Sequence, residues 1–305
     1  NKKNKVKINK GTFILNNASS DDLDDINFKA IENSLIKYKE KYEIVDQKEK
    51  IRGYNPSERN RSLKTIYIPN EDFIDNSQKL LSGYYDIFKK KKNITIYDSR
   101  ALSIVNKKKT KLIKLKNLII EGKNIVISCG AYSQVLIDQL RLKKIPKLFF
   151  GSGNALIATS EKKISQNNVI RTPNRGMACG LHTVPYGDNH IYIGATNRIS
   201  DKPKNHAIIS GVMGLQKSLT REINTNYSNL SIKKTIVGHR PTTIDTYPLL
   251  GPTSLEGVYL ATGTKRDGLT MSLLIGLEIS NLIISKKQNT IPKFFYPERK
   301  PIYTM

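Results

Sequence analysis

Gly238-His-Arg-Pro-Thr-Thr-Ile-Asp-Thr-Tyr-Pro-Leu-Leu-Gly-Pro252 and Val258-Tyr-Leu-Ala-Thr-Gly-Thr-Lys-Arg-Asp-Gly-Leu-Thr-Met-Ser272 are the two stretches from which the fold is read. The second is an apolar run ending in Gly263, a polar turn, then an almost wholly apolar helix over Leu269 to Ile284. Strand, glycine turn and helix, in that order, belong to an open α/β sheet. Ligands sit in the crevice beyond the carboxyl ends of such strands. Gly263 and Gly268 let backbone approach a flat ligand closely. The helix start offers free N–H groups and a positive dipole end, which would stabilise negative charge on a reduced ring. An ordinary strand-to-helix turn with two glycines has the same pattern, so spacing alone leaves both readings open.

Outward from this point, the sequence changes period several times. Residues 1–16 read as an extended piece, and 20–42 as a helix with Ser20 and Asp21 as caps. Asn55-Pro56 breaks the chain, and Asn70 to Asp75 is polar and turn-like. A second helix is expected over 76–92, with Leu80, Leu81, Tyr85 and Phe88 on one side. Ile94–Tyr97, Ala101–Val105, Lys111–Leu115 and Leu118–Ile120 are short strand-like runs separated by Lys/Asn/Gly turns, as in an antiparallel meander. Asn124–Ser128 is a buried strand that runs through Cys129-Gly130-Ala131 into a helix. Leu148–Phe150, Ala155–Ala158, Leu181–Val184 and His190–Gly194 are read as short antiparallel strands, and 208–224 as a helix. No internal repeat or low-complexity linker is found.

The chain has 305 residues, enough for two domains with a core each. Its formal charge of +25 raises a nucleic-acid-binding reading. The excess is mainly Lys, with only 12 Arg, and Arg is the residue whose fork reads phosphates and bases. Lys89–Lys92 and Lys107–Lys109 lie between apolar segments, where solvated turns explain them, and no aromatic interleaving accompanies them. No nucleic-acid partner is therefore expected. No run of about 18 uncharged apolar residues occurs, so no membrane span is expected. The N-terminus lacks a signal-peptide core. Two cysteines, Cys129 and Cys179, make no framework, and a reducing, cytoplasmic setting is expected. His182, His190, His206 and His239 show no metal spacing, so no metal is expected.

Arg240–Pro252 followed by Val258–Ser272 resembles the C-terminal signature of the FAD-dependent amino-acid and amine oxidases, the family of D-amino-acid oxidase, glycine oxidase and sarcosine oxidase. Asn124–Ser133 resembles that family's strand ending Ala-Gly-Ala-Trp-Ser. Val184–Thr196 resembles its substrate-domain hairpin, Ile68–Lys90 the segment before its meander, and Lys293–Arg299 its Pro/Arg tail. The resemblance covers nearly the whole chain. It departs at one point: no Gly-x-Gly-x-x-Gly unit for the ADP part of FAD is present, and the chain is read as starting after it.

The resemblance implies a mixed α/β fold: a Rossmann-like FAD-binding domain, N-terminally incomplete, interwoven with an antiparallel-sheet substrate domain. It divides the chain into substrate-domain residues 1–92 and 141–232, FAD-domain residues 93–140 and 233–290, and a tail, 291–305. It implies non-covalent FAD, since no cysteine lies between 180 and 305 to link it. The implied activity is that of an amino-acid or amine oxidase or dehydrogenase: hydride moves from the substrate Cα to flavin N5, an imine hydrolyses, and O2 or another acceptor takes the electrons. Arg240 matches the arginine that grips the substrate carboxylate through two parallel hydrogen bonds, though an Arg before Pro in an apolar neighbourhood also reads as a structural ion-pair partner. Thr264, Lys265, Arg266, Asp267, Gly268, Leu269 and Thr270, with Gly263, match the loop around the isoalloxazine, and Arg266 either reaches the mouth of the site as well or is an ordinary surface arginine. Ala101 falls at a backbone contact to adenine, and Gly130 near the dinucleotide. His182 falls where relatives carry a substrate-binding tyrosine, though a satisfied strand side chain reads the same way. His239 is expected on the opposite strand face from Arg240. No side chain is assigned a catalytic proton transfer. The alternatives left open are a catalytically inactive flavin-fold fragment and a basic nucleic-acid-binding protein.

Overall fold

A computed structural model describes residues 6–46, 48–74, 76–107, 110–142, 144–173, 180–284 and 290–302. Cys179, Lys108 and Lys109 lie outside the described residues. In chain order the elements are β1 (Ile8–Asn17), α1 (Asp22–Lys37), β2 (Glu43–Ile44), β3 (Ser62–Ile74), α2 (Ser77–Lys89), β4 (Ser103–Asn106), β5 (Lys111–Lys114), β6 (Ile119–Gly122) and β7 (Ile125–Ile127). There follow α3 (Ser133–Gln139), β8 (Leu148–Thr159), β9 (Val169–Arg171), β10 (His182–Pro185), β11 (His190–Gly194), β12 (Arg198–Ser200), α4 (Ile209–Ser218), β13 (Ser231–Thr243), β14 (Leu249–Pro252), β15 (Val258–Thr262) and α5 (Gly268–Ile284). They form two compact units: residues 1–96, 153–197 and 205–237, and residues 97–152, 198–204 and 238–305.

In the first unit the strands run β8–β11–β10–β9–β1–β3–β2, with β9 parallel to β1 and the other pairs antiparallel. Alternation along β1 sends neighbouring residues to opposite faces. Leu15 joins Leu156, Ile170, Ile191, Ile193, Leu215, Leu219 and Ile223 on one face, which α4 covers. Ile14 joins Phe28, Leu35 and Ile66 on the other, which α1 covers.

The second unit is built around β14–β15–β7, with β15 parallel to β7 and antiparallel to β14. Leu249, Val258 and Leu260 pack with Ile125, Ile127, Leu136 and Ile137 on one side. Leu250 faces the other way, towards Ile279 of α5 and Ile291 of the tail. The antiparallel meander β4–β5–β6 belongs to the same unit.

Several expectations change. The first helix stops at Lys37, not near 42, because Lys39 takes φ +55 and a Schellman closure forms: Lys39 N–H donates to Ile36 O at 3.1 Å and Glu40 N–H to Leu35 O at 2.9 Å. Its start follows the sequence, with Asp21 accepting from Asp24 N–H at 2.9 Å. Asn70 to Ile74 is not a turn but the end of β3, where Asp72 and Phe73 pair with Lys10 and Asn9. Ile94–Tyr97 carries no regular structure, since no strand is paired with it among the described residues. The runs at 148–150 and 155–158 are one strand, β8, whose small central residues hid its continuity. The helix read over 208–224 is α4 followed by a wider turn, Leu219–Ile223. No helix among the described residues is long and apolar enough to cross a membrane. Leu273 on α5 is nonetheless 74% exposed.

Candidate functional site

The site is built at the carboxyl ends of β7 and β15, two parallel strands lying side by side. Thr262 at the end of β15 donates its hydroxyl to Gly130 O at 2.9 Å, joining the two strand ends. Gly263 follows with φ +76, and a Cβ there would come within 3.1 Å of Leu249 N and 3.2 Å of Pro248 Cα. Gly130 has φ +58, and a Cβ there would meet nothing within 4 Å. The first glycine is required by close packing and conformation, the second by conformation beside open space. Lys265, at φ +53, donates its N–H to Pro241 O at 3.0 Å, which ties the turn to β13. Asp267 N–H returns to Thr264 O at 2.9 Å, and Met271 N–H to Asp267 O at 2.9 Å opens α5.

A cavity of about 520 Å³ fills this bend, with Ser128, Gly130, Pro241, Thr262, Thr264 and Gly268 in its wall. Along α5 its floor is made by Ser272, Gly276 and Ser280, one helical turn apart. A second cavity of about 550 Å³ is lined by Ser99, Arg100, Ala101, Cys129 and Tyr132. Arg100 sits over the Tyr132 ring, 5.2 Å from its centroid. Cys129 and Gly130 therefore border different cavities at one strand end.

Of the residues singled out in the sequence, Gly130, Thr264 and Gly268 line the first cavity and Ala101 the second. Gly263 and Lys265 shape the bend itself. Arg266, Asp267, Leu269 and Thr270 are exposed. Arg240 is half-buried on β13 and does not line the first cavity; its neighbour Pro241 does. His239 turns to Ser152, whose Oγ lies 2.9 Å from its Nδ1, and its ring meets Tyr132 and Phe150 edge-on. Burial lowers the His239 pKa. His182 belongs to the first unit: its Nδ1 lies 3.3 Å from Gly180 O, and its ring stacks on Tyr192. Pro241, Ser128 and, on α5, Ser272, Gly276 and Ser280 were missed by sequence reasoning. The Gly268, Ser272, Gly276, Ser280 spacing was the available signal.

The bend suits a flat ring carrying an anionic group. It has a backbone-lined concavity beside Gly130, a helix start at Gly268, and hydroxyls among apolar walls.

Residues 8–282 match the family model described as FAD dependent oxidoreductase, DAO. The chain is 28% identical over 185 residues to the bifunctional protein ThiO/ThiG of Trichormus variabilis, covering 59% of this chain and 26% of that protein. A second ThiO/ThiG protein, from Nostoc sp., is 27% identical over 120 residues, 39% of this chain and 18% of that one. The chain thus spans about a quarter or less of these curated relatives. Among solved structures, glycine oxidase from Geobacillus kaustophilus superposes with a TM-score of 0.80 at 18% identity, covering 96% of this chain and 75% of that one. L-Proline dehydrogenase from P. horikoshii gives 0.81 at 16% identity, covering 98% and 78%. These structures share the mixed α/β fold seen here. With the model match running from β1 almost to the end of α5, the chain belongs to the DAO family of FAD-dependent oxidoreductases.

Proposed function

We propose that this protein oxidises the C–N bond of an amine or amino acid that bears a carboxylate, with the second unit holding FAD. One observation carries the reading: the Lys265 N–H to Pro241 O bond fastens the strand carrying Arg240 to the glycine bend that borders the 520 Å³ cavity. Family membership and the small-molecule amine oxidations named for the structural neighbours support it.

When bound, FAD supplies the two-electron oxidation. The chain's own residues orient and hold. Arg240 would take the substrate carboxylate in a bidentate grip and so fix the direction of Cα–H. Because side chains alternate along a strand, engagement of the His239 ring with Ser152 and Tyr132 favours the opposite face for Arg240. The backbone of 263–265 would form the wall against the ring, and the α5 start would favour negative charge there. Arg266 would stand at the substrate mouth, and His182, in the first unit, would serve as a substrate-binding side chain. O2 or another acceptor takes the electrons.

The protein expressed from its full reading frame should be yellow and bleach anaerobically with one of glycine, sarcosine, D-alanine or L-proline. Arg240→Ala and Arg240→Lys should raise KM for that substrate about tenfold or more, as loss of a bidentate charged pair predicts, and leave flavin absorbance intact. Unchanged KM in both variants removes the carboxylate grip.

A further inference from the structure

Arg299 lies on the tail of the second unit, and its ion pair with Asp245 is buried, the side chains being 7% and 0% exposed. All five of its N–H donors have acceptors. Nε donates to Asp245 Oδ2 at 3.0 Å, and Nη2 to Asp245 Oδ1 and Tyr247 O, both at 3.0 Å. Nη1 donates to Pro248 O at 3.0 Å and Tyr296 O at 2.9 Å. A guanidinium has five such protons, so none is left over. Asp245 also accepts from Tyr247 N–H at 3.2 Å and Ile302 N–H at 3.3 Å, while the Thr243 hydroxyl donates to Tyr247 O at 2.6 Å. A buried pair is costly to form and is weak evidence for stability as such. A network this complete instead specifies one arrangement of what it joins.

What it joins is the turn over residues 243–248, in which Thr246 is held at φ +61. Upstream, the turn continues β13 from Pro241, whose carbonyl holds Lys265. Downstream, its last residue, Pro248, is the wall against which Gly263 is packed. One turn therefore borders the loop at 263–270 from two sides. Strand pairing holds the two ends of the turn, in β13 and β14, but the residues between them are in no strand, so their shape is set otherwise.

We propose that Arg299 and Asp245 are positioning residues: their bidentate pair sets the turn at 243–248 and, through Pro241 and Pro248, the conformation of the loop at 263–270. The consequence for cofactor binding rests on the function proposed above; the consequence for the loop does not.

Hydrogen exchange of the purified full-length chain and of Arg299→Lys, measured well below each unfolding midpoint, tests this. Lysine keeps the charge and lacks the fork. The Lys265 amide should exchange at least tenfold faster in the variant, with amides of β7 and α3 within twofold of wild type. The affinity for added FAD, read by quenching of flavin fluorescence, should fall at least fivefold. Loop exchange within twofold of wild type overturns the proposal. So does uniform acceleration across the unit, which would make the pair a tail anchor only. Asp245→Asn keeps the side chain's shape and gives the same readout should Arg299→Lys fail to fold. If wild type binds no FAD while the loop still loosens, the positioning role stands and the proposed function falls. If FAD binds and the loop does not change, the reverse holds.

Discussion

Gly263 and Gly130 are both glycines at positive φ, yet only one of them is packed. An alanine at either position pays the left-handed penalty of roughly 1–2 kcal/mol. At Gly263 the new methyl would also press on the backbone of Pro248 and Leu249, whereas at Gly130 it would enter open space. We expect Gly130→Ala to cost about 1 kcal/mol and Gly263→Ala about 2–3 kcal/mol, read from urea midpoints. Equal costs, or the reverse order, would contradict the packing drawn here. The glycines at this bend were visible in the sequence because a strand run ended on them. The positive φ of Lys265 and Thr246 was not visible, because neither residue type prefers it: the Lys265 N–H is tied to Pro241 O, and Thr246 sits in a turn in which its N–H donates to Thr243 O and Arg299 holds the neighbouring Tyr247 O. The Arg299–Asp245 pair was likewise hidden: 54 residues separate its members, and no local pattern joins them.

At the level of elements, sequence period located the helices and the strands β4–β7, β10, β11 and β15, missed the short strands β2, β9, β12 and β14, and read a strand at Ile94–Tyr97 where the described residues form none. The antiparallel meander and the parallel pairing of β7 with β15 follow from apolar runs bounded by turn residues. β3 and β8 do not, since β3 ends in a polar stretch and β8 passes through Gly151-Ser-Gly-Asn154. Pairing partners decided both, β1 for the first and β11 and β12 for the second. α1 is seated on the sheet by two buried apolar side chains, Phe28 and Leu35, of which Phe28 is the larger. Phe28, 2% exposed, packs with Ile14, Leu35 and Ile66. Phe28→Ala should lower stability by about 3–5 kcal/mol. Far-ultraviolet circular dichroism should show helix loss preceding the main transition, because α1 is the cover on that sheet face. A single unchanged transition would show that α1 is held by something other than this contact.

For the whole molecule, net charge and two titrating groups point the same way. At +25 the chain already repels itself, and protonating carboxylates increases that charge. Burial lowers the His239 pKa, so the unfolded chain binds this proton more readily than the folded one. The stability it contributes is present above the ordinary histidine value of about 6.5 and is lost as pH falls through the lower folded value. Burial raises the Asp245 carboxyl, but the hydrogen bonds from Arg299 and Thr243, the Arg299 charge and the Ile302 amide outweigh it and hold it below the usual carboxylate range. Its contribution is complete above about pH 4 and disappears as pH falls through that depressed value. Denaturant midpoints should therefore decline in two stages from pH 7 towards pH 2. His239→Gln should flatten the first stage, which begins as pH falls below about 6.5, and leave the second. Asp245→Asn should be less stable than wild type at pH 7 and converge with it at the acid end. The convergence is the decisive part: a constant gap between Asp245→Asn and wild type at every pH would mean that the carboxylate's charge contributes nothing, and that the turn is held by shape alone.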